Sequence, residues 1–356
     1  MQTRELIFDA QIRQIVGEKW DDMSTHLIDS TGVEGNTQWP TDSKLMVDLL
    51  SRLLRLGSRL DRFELTAIHV PQANKLLGKM GLLHKEISLG AGKPASARSR
   101  KKLYAKLLLM GRKAALLLEP TLQTTEQALS ELDMLPSRRA MAVRLVQWLR
   151  SDMNNLNRVI ECCEIRVMQD GKVPAAEKVV SVCDPDAALI VKGGREPIVG
   201  YKPQLCRSGE GFVIGLIVPR GNASDSSQLI PICEQAVGRT GILPTKVSTD
   251  DGYSSRQDHE ELKERGVKVV SISGSKGRAI TPDQEWNDPD YVAARNGRSA
   301  VESLMFTIKH GFGFGRVARR GIDRVHAELL EKVLAYNFCR MAACRRADSD
   351  ESRLAA

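Results

Sequence analysis

Three acidic residues stand where metal-assisted phosphodiester chemistry would need them. Asp29 follows the apolar pair Leu27-Ile28, Asp250 closes Val247-Ser-Thr, and Glu302 lies in the stretch Arg298 to Lys309. Cutting a phosphodiester without a bound nucleotide calls for carboxylates that hold hard cations. Those cations activate the attacking oxygen and stabilise the leaving one. Magnesium takes oxygen ligands and keeps several waters, so two or three carboxylates suffice. Arg298, Glu302 and Lys309 fall at i, i+4 and i+11. At helical pitch they share one face, beside an apolar stripe of Val301, Leu304, Met305 and Ile308. A carboxylate flanked by two cations on one face suits a metal ligand turned toward DNA. The plainer readings stand beside it. Arg298 and Glu302 also make an ordinary surface ion pair, and Asp250-Asp-Gly-Tyr taken alone is a turn signal. Asp184 and Asp186, in Val-Cys-Asp-Pro-Asp-Ala, compete for the first position because they too follow an apolar run; their plainer reading is a turn.

The elements that must position these residues follow from periodicity. Residues 1–22 read as a short polar helix. Thr25 to Val33 is β-branched, bounded by glycines, and fits a strand, with Gly32 and Gly35 in turns. Thr41-Asp-Ser after Pro40 can cap a helix. Leucines from Leu45 to Leu56 recur at helical spacing. Further helices are expected over Lys101–Leu118, Gln127–Leu132 and Ser137–Arg166, with breaks at Gly90-Ala-Gly-Lys-Pro and Glu119-Pro. Strand candidates then follow at Val179–Cys183, Gly200–Leu205 and Gly211–Val218. After them come a helix from Ser227 to Thr240, which Asp225 could cap, a strand Pro244–Thr249, a helix 256–265, a strand Val267–Ser273, and helices over 290–345. The order implies an α/β fold, a mixed sheet flanked by helices, with a long helical insertion after the first strand. The expected boundaries are 1–22 for an N-terminal helical remnant, 23–44 for the first strand region, 45–170 for the insertion, 171–345 for the rest of the core and 346–356 for a disordered tail.

Composition narrows the function class. The net charge is +8 and the pI about 9.1, which favours a polyanionic partner. Lys93, Arg98, Arg100, Lys101, Lys102, Lys106, Arg112 and Lys113 form a basic cluster with no acid among them, and Arg316, Arg319, Arg320 and Arg324 form a second basic cluster. In a DNA enzyme both would touch backbone phosphates; otherwise they are solvated faces. Aromatic residues are only 4%, which argues against a base-stacking platform. The seven cysteines include no C-x-x-C pair, so reduced thiols in the cytoplasm are expected rather than zinc or disulfides. The histidines are scattered, with no His-x-x-x-His. Gly311-Phe-Gly-Phe-Gly-Arg follows a helix rather than a strand, so it reads as a hinge between helices or a close approach to DNA, not a phosphate loop. No leader pattern opens the chain and no apolar run is long enough to span a bilayer, so no membrane partner is expected.

Several local patterns, in order, resemble the bacterial insertion-sequence DDE transposases. Asp29-Ser-Thr-Gly-Val with downstream Pro-Thr-Asp resembles the family's first-aspartate strand. Gly200-Tyr-Lys and Gly221-Asn-Ala-Ser-Asp225 resemble its middle strands. Val247-Ser-Thr-Asp250-Asp-Gly-Tyr253 resembles its second-aspartate motif, and Arg298, Glu302 and Lys309 its third-acid signature. Tyr336-Asn-Phe-Cys-Arg340 resembles its closing helix. The resemblance spans about residues 25–340. It implies a ribonuclease H-like core in which Asp29, Asp250 and Glu302 bind Mg²⁺ (or Mn²⁺), two ions in all, while Arg298 and Lys309 contact DNA phosphates. It implies double-stranded DNA, both element ends and target, as partner, and a homo-oligomer that holds two ends. The chain departs from the pattern at Arg295, where the family usually has tyrosine. Its first acid also lies close to the start, where relatives usually carry a DNA-binding domain; this reads as a shortened or split copy. The alternatives are a DNA-binding remnant without catalysis and a ribonuclease H-like nuclease that only hydrolyses.

Overall fold

The structure is a computed structural model that describes residues 2–65, 71–90, 97–131, 133–174, 177–191 and 196–354. The chain forms two compact units, one of Met1–Thr37 with Asp186–Ala356, the other of Gln38–Pro185. The first unit opens with α1 (Gln2–Gly17), β1 (Thr25–Ser30) and β2 (Val33–Glu34). The second consists of α2 (Asp42–Leu60), α3 (Pro71–Leu89), α4 (Ala97–Glu131) and α5 (Pro136–Cys163) with their connections. The first unit resumes with β3 (Ala188–Ile190), β4 (Ile198–Tyr201), β5 (Gln204–Ser208), β6 (Val213–Ile217), α6 (Leu229–Thr240), β7 (Lys246–Thr249), α7 (Arg256–Glu264) and β8 (Val269–Ile272). Helices α8 (Ser275–Ile280), α9 (Asp283–Trp286), α10 (Pro289–Gly297), α11 (Ser299–Gly311) and α12 (Ile322–Leu354) follow.

β1 is the middle of a five-stranded sheet among the described residues, in the order β6-β5-β1-β7-β8. β5 runs antiparallel to β1, and β6 antiparallel to β5. On the other side β7 is parallel to β1, and β8 to β7. This is the ribonuclease H-like mixed sheet that the sequence implied. β1 is buried from His26 to Ser30, as expected of a strand covered on both faces. Helices α6, α10 and α11 supply the cover, packing on β5 and β6, on β7 and β8, and on β1. A smaller sheet, β2-β4-β3, stands beside the main one.

The free edge of β6 is sealed by a side chain. Asn337 on α12 donates through Nδ2 to the Val213 carbonyl (2.8 Å), and its Oδ1 accepts from the Val213 amide (3.0 Å). Tyr336 donates to the Gly211 carbonyl at 2.8 Å. The closing-helix motif is thus a strand substitute, satisfying buried backbone groups that an edge would leave open. α1 packs on α12 and α6 and buries Phe8, Ile12 and Ile15, and Gln11 donates to the Leu334 carbonyl at 3.0 Å.

In the second unit, α2 is capped by Thr41, whose hydroxyl accepts from the Lys44 amide (3.3 Å). Its buried leucines join those of α3, α4 and α5 in one core. Arg52 and Asp152 form an ion pair at 3.0 Å, Asp152 being buried.

Four expectations are corrected. α4 is continuous through Pro120, where the sequence predicted a break; its buried Leu118 and Leu122, on either side, keep the segment in the helical core. Val179–Cys183 is not a strand. Val179 and Val182 instead pack on the helical core of the second unit, and Arg52 donates to the Val182 carbonyl. Gly221–Asp225 is a loop after β6 rather than a strand. The polar end of the chain continues α12 to Leu354. Lys93 and the Ala91–Pro94 part of the expected break lie outside the described residues. No helix among the described residues is long and apolar enough to cross a membrane.

Two predictions follow from packing. Asn337→Leu removes both bonds to Val213 and is expected to cost about 2–4 kcal/mol in urea unfolding; an unchanged midpoint would mean that α12 does not seal the edge. His26 is fully buried, and among the described residues neither ring nitrogen has a hydrogen-bond partner; burial pushes its pKa down to about 4. The unfolded chain therefore takes up a proton that the fold refuses. Stability is lost as pH falls below about 6.5, by up to about 1.4 kcal/mol per unit, until about 4. His26→Leu should flatten that part of the stability–pH curve, and a parallel curve would refute the assignment.

Candidate active site

The sheet brings the first two acids together. β1 and β7 are parallel with Leu27 opposite Ser248. Carried on two residues, that register sets Asp29 beside Asp250 at the strands' carboxyl ends, where neighbouring strands are about 4.8 Å apart. Carboxyl ends of parallel strands are the usual ligand side of such sheets, because the loops there are free to vary. Asp29 is buried; its Oδ1 accepts from the Ser30 amide at 2.7 Å. Asp250 sits at the turn after β7 and accepts from the Gly252 amide at 2.9 Å.

The neighbouring Asp251 has a different task. Its Oδ1 accepts from the amides of Lys276 (2.8 Å) and Gly277 (2.9 Å), tying the β7 turn to the start of α8. Gly274 accommodates this contact at φ +98°, and a Cβ there would overlap the Asp251 side chain. Of the two adjacent acids, Asp251 is structural and Asp250 is the one next to Asp29.

Glu302 comes from α11, which packs on β1. Arg298, at the junction of α10 and α11, stands between the first and third acids. Its Nη1 is 3.7 Å from Asp29 Oδ2, and its Nη2 is 2.5 Å from Glu302 Oε1. The sequence's surface pair is thus one half of a three-residue bridge. Glu302 is 59% exposed, whereas the Asp29 side chain is 10% exposed, so the guanidinium joins the floor of the site to its rim. Lys309 is half-buried, about 10 Å further along the helix. Among the described residues, no group of three or more His, Cys, Asp or Glu side chains is gathered to hold a metal ion.

The rival acids stand elsewhere. Asp186 accepts from the Ile322 amide at 2.9 Å and pairs with Arg220 at 2.9 Å, so it anchors the start of α12. Asp184 belongs to the second unit and is buried, its amide donating to Ser181 Oγ at 3.1 Å. The basic clusters are largely exposed on α4 and on the approach to α12. Lys101, Arg112 and Arg319 are engaged with Asp170, Glu164 and Glu331.

Sequence reasoning gave one further acid, Asp225, a different task from the one it has. Asp225 caps no helix with its side chain. Its Oδ1 instead meets Lys202 Nζ at 2.9 Å and accepts from Gln204 Nε2 at 3.0 Å. Burial pushes the Asp225 carboxyl up, but bonds from Gln204, Lys202 and Ser30 and the Lys202 charge outweigh it and hold the pKa below the usual carboxylate range. Tyr253, buried in the Asp250 turn, donates its hydroxyl to Gln204 Oε1. Burial, then the charges of Asp225, Asp29 and Asp250, push its phenol well up, so it stays protonated. Nothing local in the sequence links Lys202 to Asp225, so no periodicity could have found the pair.

Gly252 explains the glycine of the motif. A Cβ there would lie 2.9 Å from Asp225 Oδ2 and 3.0 Å from Asp250 Oδ1. Gly252→Ala should therefore lower stability by about 1–3 kcal/mol in urea unfolding. A parent-like midpoint would mean that the two carboxylates are free to part.

Residues 177–338 match the family profile described as the transposase DDE domain. The match takes in Asp250, Arg298, Glu302 and Lys309; Asp29 lies outside it and is set beside Asp250 by the sheet register. No curated protein and no solved structure gives a significant match.

Proposed function

We propose that the chain is a transposase of the DDE type, a reading supported by its match to the transposase DDE domain over residues 177–338, and that Asp29, Asp250 and Glu302 form the site that cuts and rejoins DNA strands. The observation that carries this reading is the pairing of β1 with β7, which aligns two carboxylates at neighbouring strand ends. Asp29 and Asp250 offer anionic oxygen donors side by side, a set that suits Mg²⁺ or Mn²⁺. Glu302 is the third donor once its bond to Arg298 is given up. Bound there, one or two such ions would activate the attacking oxygen and stabilise the departing one.

The chain's own groups do the rest. Arg298 neutralises Asp29 and Glu302 in the free protein, and its guanidinium is suited to a DNA phosphate in the complex. Lys309 adds a cation further along the same helix. The exposed cations of α4 and those at Arg316 and Arg324 give salt-sensitive contacts to the duplex backbone without reading sequence. Two element ends must be held at once for joining, which calls for a homo-oligomer. Acting on chromosomal DNA, the protein would work in the cytoplasm, at the nucleoid.

A second reading is DNA binding without cutting. It draws on Glu302 being tied to Arg298 and on the lack of a gathered three-acid cage among the described residues. Nicking of supercoiled plasmid DNA with Mn²⁺ separates the two. The protein is expected to nick, and EDTA to abolish nicking. Asp29→Asn, Asp250→Asn and Glu302→Gln should each lose roughly a thousandfold or more in rate, while a gel-shift assay shows DNA retained. A variant that nicks at the parent rate removes its residue from the site; a parent protein that binds but never nicks favours the second reading.

A further inference from the structure

Behind the Asp29–Asp250 pair lies a buried polar chain that the proposed cutting does not itself use. Lys202 is only 8% exposed. Its ammonium meets Asp225 Oδ1 and also donates to the Ala223 carbonyl at 3.1 Å. Gln204 is fully buried, and both ends of its amide are engaged: Nε2 donates to Asp225, and Oε1 accepts from Tyr253. That pattern fixes the amide's orientation, since a carboxylate can only accept and the phenol donates. Ser30, next to Asp29 on β1, also bonds Asp225. The chain thus begins at a buried lysine and ends at Tyr253, three residues beyond Asp250 in the same turn.

We propose that Asp225, held by Lys202 and Gln204, is a positioning residue that fixes where the Asp250 carboxylate stands. The inference rests on the assignment of Asp250 to the cutting site. Two arguments carry it. First, a buried ammonium–carboxylate pair adds little net stability compared with apolar side chains of the same size, because both charges must be desolvated. Its presence here is explained by geometry, not by stabilisation. Second, Asp225 Oδ2 and Asp250 Oδ1 lie 2.9 and 3.0 Å from the point that a Cβ on Gly252 would take, so both carboxylates border the same small space. Two carboxylates that border one small space cannot both turn into it. Asp225 is fixed by Gln204, Lys202 and Ser30, so it closes that space to the Asp250 carboxylate and restricts its rotation. Ser30 carries the same restraint to the strand that bears Asp29. Partners of this kind, bonded to groups around a metal-binding carboxylate, typically change metal affinity or rate 10–100-fold when removed.

The test uses the full chain without DNA for metal binding, and with supercoiled plasmid for kinetics. Mn²⁺ affinity is read by electron paramagnetic resonance, and kcat and KM come from nicking. Asp225→Asn is expected to weaken Mn²⁺ binding about 10–100-fold and lower kcat to a similar degree, with KM for DNA unchanged. Tyr253→Phe removes one oxygen from the far end of the chain and should give a smaller loss of the same kind. Lys202→Arg, which keeps the charge, should stay closer to the parent than Lys202→Met. A folded Asp225→Asn protein with parent Mn²⁺ affinity and kcat, beside an inactive Asp250→Asn, overturns the proposal alone. If Asp225→Asn does not fold, Tyr253→Phe decides, and parent values there overturn it. If Asp250→Asn itself binds Mn²⁺ and nicks like the parent, the site assignment has failed and the proposal falls with it.

Discussion

The parallel ladder between β1 and β7 is the constraint on which the rest depends. An antiparallel pairing would send the two strand ends in opposite directions and separate Asp29 from Asp250 by the length of a strand. Parallel pairing aligns the ends, so two like charges meet with one interstrand spacing between them. That arrangement is costly without compensation, since adjacent carboxylates repel and each is partly desolvated. Much of the surrounding chemistry answers that cost. Arg298 lies against Asp29, the Gly252 amide bonds Asp250, and Lys202 neutralises the third carboxylate behind them. The candidate site is held together by groups on several different elements.

Division of labour within Asp250-Asp251-Gly-Tyr shows how one short motif serves several needs. Asp250 stands beside Asp29 by the strand register, Asp251 pins α8, Gly252 leaves room for two carboxylates, and Tyr253 ties the turn to Gln204. Each residue type is chosen by a different physical demand. The motif reads as a mere turn only when those demands are invisible.

Much of this was legible in the sequence. Short β-branched runs bounded by turn residues marked β1, β7 and β8, and the acids at their ends followed. The spacing of Arg298, Glu302 and Lys309 on one helix was equally plain. What failed was whatever depends on partners distant in sequence. Val179–Cys183 has strand composition, yet the helical core claims its valines. Pro120 signals a break, yet the packing on both sides of it keeps α4 whole. Asp225 looked like a cap, yet Lys202 and Gln204 hold it. Propensity describes a segment in isolation, whereas these outcomes were decided by contacts across the fold.

The order of these elements along the chain has a bearing on biosynthesis. The Thr245 hydroxyl at the start of β7 bonds the Ser24 carbonyl before β1 across 221 residues, with the whole helical unit encoded in between. At about 5–20 residues per second, a ribosome releases β1 roughly 10–40 seconds before its parallel partner exists. During that interval the first aspartate sits on an unpaired strand while the helical unit, rich in local contacts, is free to fold on its own. The two carboxylates meet only after most of the chain has emerged. A prematurely terminated product that ends before β7 therefore has the basic helices but not the Asp29–Asp250 pair.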